Sequence, residues 1–271
     1  MNDLSQEKAM KLIFLGSGSA FTVGADNFQS NMIIETQTGK KILLDCGSDI
    51  RFSLHALSLS YLDITDIYIS HLHSDHVGGL EYIGFSTKFD PRCEKPIIYC
   101  SKDIASLLWN NTLSGGMMSI EGDLANLDTY FQLYKIELNG YFTWEGIEFK
   151  LVKVNHVHNS YYLMPSYGLF FEITGQKVFI TTDTKLSLET NGEYYQQADL
   201  IFHDCETSIF HTPVHPSYDD LITLPPEIKQ KMWLYGYQPG KLPNAEKDGF
   251  LGFVKRGQVF DFSEALISVK N

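Results

Sequence analysis

His71-Leu72-His73-Ser74-Asp75-His76 gathers three of the nine histidines of this 271-residue chain around one carboxylate. A lone histidine is most often a satisfied or exposed side chain, but this density asks for a chemical reason. Neutral imidazoles and carboxylates are the ligands that a borderline divalent ion such as zinc accepts. The cluster follows DIYIS (66–70), an apolar run with strand character. On an extended segment His71 and His73 project to the same side. The turn that follows can aim Asp75 and His76 at a neighbouring point, and Gly78-Gly79 permits a tight passage into a helix over 77–85.

One segment cannot complete a tetrahedral site, so ligands are expected from further along. VKVNHVH (152–158) ends a strand-like run with His156 and His158 at the same parity; either could face the site, and His156 is preferred. Asp183, in FITTDT (179–184), closes another strand, where a carboxylate can bridge two ions.

Outward from these anchors, apolar bursts alternate with polar or glycine-rich turns. Strands are expected at KLIFLG (11–16), NMIIET (31–36), KILLDCG (41–47), IIYC (97–100), FQLYKI (131–136), IEFKLVKV (147–154), YGLFFEI (167–173), KVFITTD (177–183), DLIFHD (199–204) and MWLYG (232–236). Asp49 is placed to cap a helix carrying Ile50, Leu54 and Leu57 on one face. Further helices are expected over 104–109 and, around Pro225-Pro226, over 221–231; residues 112–128 read as a loop or poorly ordered insertion. Two series of strands, each interleaved with helices, point to a layered α/β sandwich more than to a doubly wound sheet. No linker is evident, so residues 11–271 are expected to form one domain after a polar tail, 1–10.

Composition narrows the function. Hydrophobic residues make up 44% and charged residues 20%, ordinary globular values. No apolar run approaches the length of a membrane span, and the polar first ten residues lack the apolar stretch of a secretory signal. Four cysteines without paired spacing fit buried thiols in a reducing cytoplasm. A net charge of −12 argues against a broad basic surface for nucleic acid but leaves small anionic substrates open, since bound ions could reverse the sign within one pocket. Gly16-Ser17-Gly18-Ser19 lacks the third glycine of a dinucleotide loop and the lysine of a phosphate loop; it reads as a turn close to the metals. Ser208 and Ser217 lack a nucleophile-elbow context, and Tyr161, Tyr162 and Tyr167 read as core or pocket wall.

The H-x-H-x-D-H motif after a strand, a later histidine and a strand-terminal aspartate resemble the metallo-β-lactamase superfamily. Within it the chain is similar to the ribonuclease Z-like phosphodiesterase branch, through LGSGSAF (15–21), LLDCG (43–47), SHLHSDHVGGL (70–80), SYGLFFEI (166–173) with TTDT (181–184), and IFHDCET (201–207) followed by HPSYDDL (215–221). The resemblance implies an αββα four-layer sandwich with metals at one edge. It implies one or two zinc ions, with manganese an alternative: His71, His73 and His156 on one, Asp75 and His76 on the other, Asp183 bridging. Asp204 would orient His215 to protonate the leaving oxygen, with His203 and His211 as structural neighbours, and Asp75 would also orient the attacking hydroxide. The expected reaction is hydrolysis of a small phosphodiester by metal-activated water, on a small or cyclic nucleotide more than on structured RNA, with no membrane partner; a homodimer fits as well.

The chain departs from that branch in places. Gly236 stands where the branch supplies a late-strand histidine ligand; TVGADN (22–27) lacks an arginine-rich loop; and 112–128 contains no lysine or arginine. Two rival expectations follow: hydrolysis of a lactone, thioester or β-lactam, or a binding or regulatory protein whose metal site has decayed.

Overall fold

Alternation within single strands shows how the chain sorts its apolar residues. In Leu200–Asp204, Leu200 and Phe202 enter one core while Ile201 enters another. Gln176–Ile180 repeats the pattern, with Val178 and Ile180 on one side and Phe179 on the other. Such strands are buried on both faces and so must lie between layers. The computed structural model describes residues 10–24, 26–263 and the backbone of 268–270.

Eight strands form the first sheet, in the order 268–270, 259–261, 10–14, 32–36, 41–44, 66–69, 97–101 and 132–136. Seven form the second, in the order 252–253, 232–235, 200–204, 176–180, 167–173, 147–153 and 141–144. The chain thus completes the second sheet before returning to the edge of the first. Phe14 meets Phe202 and Tyr235 across the gap at ring separations of 5.4 and 5.6 Å, and Tyr68 stacks on Phe142 at 5.9 Å. Helices Ile50–Ala56 and Leu80–Phe89 pack Ile50, Leu54, Leu80 and Ile83 on the first sheet. Leu188–Gln197, which the sequence reading missed, brings Tyr195 to 5.5 Å from Phe179 outside the second sheet. The result is a four-layer αββα sandwich.

Several local expectations change. Residues 112–128 are ordered: a π-helical turn Leu108–Leu113, a helix Ser114–Met117, a small hairpin and a helix Leu127–Tyr130. Leu113, Met117 and Tyr130 are buried, and the Tyr130 hydroxyl donates to the Met117 carbonyl. Gly115-Gly116 reads locally as a breaker, but apolar burial holds the segment. The helix expected over 77–85 is two, Ser74–Val77 and Leu80–Phe89, interrupted at Gly78-Gly79, so Asp75 and His76 sit on a helical turn. The stretch 221–231 divides into Tyr218–Ile222 and Pro226–Lys229, because the residue before a proline is held out of helical geometry. Asp49 flanks its helix, yet its carboxylate accepts the Gln29 N–H at 2.8 Å rather than capping. Met10 is already in the first strand; residues 1–9 of the expected tail lie outside the described residues. Tyr167 is buried, whereas Tyr161 is 97% exposed on a hairpin tip and so forms no core. Among the described residues no helix is long and apolar enough to cross a membrane.

Candidate metal centre

Functional side chains collect where parallel strands end. Asp66–Ile69 runs parallel to Lys41–Leu44, so Asp45 and the histidine segment emerge together. In the second sheet Gln176–Ile180, Leu200–Asp204 and Met232–Tyr235 are parallel and deliver Asp183, Asp204 and Gly236 to the same edge.

His71 Nε2 and His156 Nε2 lie 3.1 and 3.2 Å from His73 Nδ1. An ion bound tetrahedrally at zinc–nitrogen distances spaces its ligand atoms about 3.3 Å apart, so both spacings match the edge of a coordination tetrahedron. Asp183 Oδ2 stands 3.8 Å from both His71 Nε2 and His156 Nε2. Burial pushes His71 well below the usual histidine range and His156 down to about 4. These imidazoles are therefore neutral, as a metal ligand must be. The Val214 carbonyl, 3.0 Å from His156 Nδ1, keeps the proton there and turns the Nε2 lone pair inward. His158 is exposed on the following hairpin, so of the two same-parity histidines only His156 joins the cluster.

A second set adjoins the first. His76 Nε2 is 3.1 Å from Asp75 Oδ2 and 3.3 Å from Asp183 Oδ2. Burial opposes charge on His76, but the carboxylates of Asp75, Asp183 and Asp45 outweigh it and raise its pKa well above the ordinary value. Acidic groups this close call for a cation, and a divalent ion fits the donor set of both clusters.

Asp45 was assigned no role from sequence, although it closes the strand segment LLDCG. It is buried in left-handed backbone, φ +63. Oδ1 accepts the Ser70 N–H at 2.8 Å, and Oδ2 lies 2.7 Å from both Ser70 Oγ and His76 Nδ1. Ser70 Oγ is also 3.0 Å from His71 Nδ1, so one carboxylate orients a histidine of each set. Asp45→Ala is expected to weaken metal binding by about 10- to 100-fold, measured by competitive titration of metal-stripped protein.

Beyond the shared Asp183 lies an ion pair, with His215 Nδ1 2.6 Å from Asp204 Oδ2. Asp204 Oδ2 also accepts the Thr184 N–H at 3.1 Å. Burial raises the Asp204 carboxyl to about 6; against its own burial, His215 is raised by that carboxylate to about 10, so at neutral pH the proton sits on His215. His203 instead faces the outer helix, 2.7 Å from the Tyr195 hydroxyl, and His211 is exposed and outside every cluster.

Gly236 lies beside Asp204 and leaves little room for a side chain. Its φ is +80, its N–H donates to the Ser17 carbonyl, and a Cβ there would lie 2.7 Å from Asp204 Oδ1. The GSGS turn packs against this strand end. Gly236→His is therefore expected to lower the melting temperature without tightening metal binding, because left-handed backbone and a crowded carboxylate both resist the side chain. Among the described residues the Asp75 set offers three residues that could hold an ion, against four around His73. A metal titration should accordingly show one tight event and one weaker.

Comparison with known proteins bears on family and fold. A family profile described as anti-Pycsar protein Apyc1 matches residues 10–260. An anti-Pycsar protein Apyc1 of Paenibacillus harenae is 32% identical over 235 residues, covering 84% of this chain and 90% of that protein. Another, from Bacillus phage BSP38, is 31% identical over 258 residues, covering 91% and 96%. Among solved structures, the metallo-β-lactamase fold protein YhfI of Bacillus subtilis superposes with a TM-score of 0.71 at 16% identity, covering 93% of this chain and 99% of that one. A diphosphatase of the PhnP family gives 0.70 at 18%, covering 94% and 97%, and the short form of human tRNase Z gives 0.66 at 17%, covering 93% and 99%. The fold is that of the metallo-β-lactamases.

Proposed function

The chain belongs to the anti-Pycsar Apyc1 family, and from that footing we propose that it is a two-metal phosphodiesterase acting on a small, preferably cyclic, nucleotide. The observation that carries the reading is His215, held at 2.6 Å by Asp204 beside Asp183, the carboxylate common to both donor sets. A proton donor so near two metal sets suits cleavage of a bond whose leaving oxygen departs as an alkoxide.

His71, His73 and His156 would hold one ion and Asp75 with His76 the other, with Asp183 shared. Zinc suits this nitrogen-rich set, with manganese as the alternative. When bound, two such ions supply a nucleophile at neutral pH and neutralise charge on the phosphoryl oxygens. The residues do the rest. Asp45 and Ser70 fix the imidazoles, Asp75 orients the attacking oxygen, and His215 gives its proton to the leaving oxygen while Asp204 holds the ring. The chain's net charge of −12 and the absence of lysine or arginine from 112–128 favour a small substrate over structured RNA.

Metal-loaded protein should hydrolyse a 3′,5′-cyclic nucleotide faster than a linear dinucleotide, structured RNA or a chromogenic lactone, with chelator abolishing turnover. Preference for the lactone would replace this reading with the carboxyl-ester alternative. Bound metal without turnover of any of these would favour a binding role.

A further inference from the structure

Thr182 stands in left-handed backbone, φ +54, one residue before Asp183. That conformation is a steric outlier for a β-branched residue and persists only where surroundings enforce it. Glycine would adopt it freely, so what threonine adds here is its hydroxyl. The residue is 5% exposed, and the hydroxyl donates toward the Thr181 carbonyl at 2.7 Å and the Tyr167 carbonyl at 3.2 Å. The Tyr167 carbonyl is a junction between the two sheets. It also accepts the Tyr68 hydroxyl at 2.7 Å, while the Tyr167 N–H donates to the Ser70 carbonyl at 3.1 Å. Tyr68 and Ser70 lead directly into His71. On the other side, Thr181 Oγ1 donates to the Thr182 carbonyl at 2.9 Å and accepts the Asp204 N–H at 3.2 Å. The strained turn is thus tied to the histidine segment of one sheet and to the Asp204 strand of the other.

We propose that Thr182 is a positioning residue for metal binding: its left-handed turn aims Asp183 at both donor sets, and its hydroxyl, through the Tyr167 carbonyl, sets the distance of Asp183 from the His71–His76 segment. The inference rests on the two-metal reading above, but its test needs no substrate. Thr182→Ser keeps the hydroxyl, Thr182→Val removes it at nearly constant shape, and Thr182→Gly removes it while relieving the backbone.

Each metal-stripped protein would be titrated with zinc by calorimetry and melted without metal. Thr182→Ser should stay within about threefold of the unaltered affinity. Thr182→Val and Thr182→Gly should each weaken zinc binding about 10- to 100-fold, as losses of outer support for a ligand do. Metal-free Thr182→Gly should melt close to the unaltered protein, separating loss of aim from loss of fold. Turnover by Thr182→Gly should recover toward the unaltered rate as zinc is raised to saturation. Unaltered affinity in Thr182→Gly, or equal weakening in Thr182→Ser, would overturn the proposal. Failure of Thr182→Val to fold would leave the glycine variant to decide. If the unaltered protein itself bound no zinc, the two-metal reading would fall first, an outcome distinct from tight binding that Thr182 does not affect.

Discussion

Replacing His71 and His73 together by alanine should give a protein that binds no ion at the first donor set and turns over substrate at least about a thousandfold more slowly. The size follows from the several kcal/mol that metal ions contribute to transition-state charge stabilisation, each 1.36 kcal/mol being about tenfold in rate. His71 Nε2 and His73 Nδ1 are two of the three clustered imidazole nitrogens; with both gone, His156 and Asp183 remain, too few to hold zinc in competition with water. Stability provides an independent readout. An ion that binds only the folded chain raises the melting temperature by mass action, so zinc should raise it for the unaltered protein and leave the double variant nearly unmoved. Elemental analysis beside a rate assay checks both. Full activity in metal-free protein would refute the metal-dependent reading outright.

His215→Ala is expected to lower turnover by about a hundredfold or more, the usual worth of a positioned general acid, while metal content holds. The imidazolium is a quarter exposed at its side chain and anchored by Asp204 at 2.6 Å, so it can meet a leaving oxygen without unfolding anything around it. The loss should shrink on a p-nitrophenyl phosphodiester, whose leaving group needs no proton. The sign of the pH effect follows from the raised pKa of His215: the acid is present at neutral pH and is lost as pH rises through about 10. Equal losses on activated and unactivated substrates would make His215 a structural residue. Asp204→Asn should resemble His215→Ala, because the neutral amide no longer favours the protonated ring.

The sequence by itself determined which chemistry was present and, for most segments, which face each residue takes. Three histidines and an aspartate in six residues name their own ligand class, and the near-continuous apolar run opening LIFHD suits a strand buried on both sides; these are local signals, readable from side-chain type and spacing. Tertiary structure decided the rest. His156 and His158 share parity, and only the point at which the strand gives way to an exposed hairpin chooses between them. Asp45 lies far from His76 in sequence and reaches it because parallel pairing of 41–44 with 66–69 sets the two strand ends side by side. Gly236 follows the end of its strand as the spacing implied, but its left-handed backbone and the nearness of Asp204 leave little room for a side chain there. Residues 112–128 look breakable alone and are ordered because Met117 and Tyr130 find an apolar surface. Short-range pattern records what a residue prefers; where two sheets meet records which preferences are satisfied together.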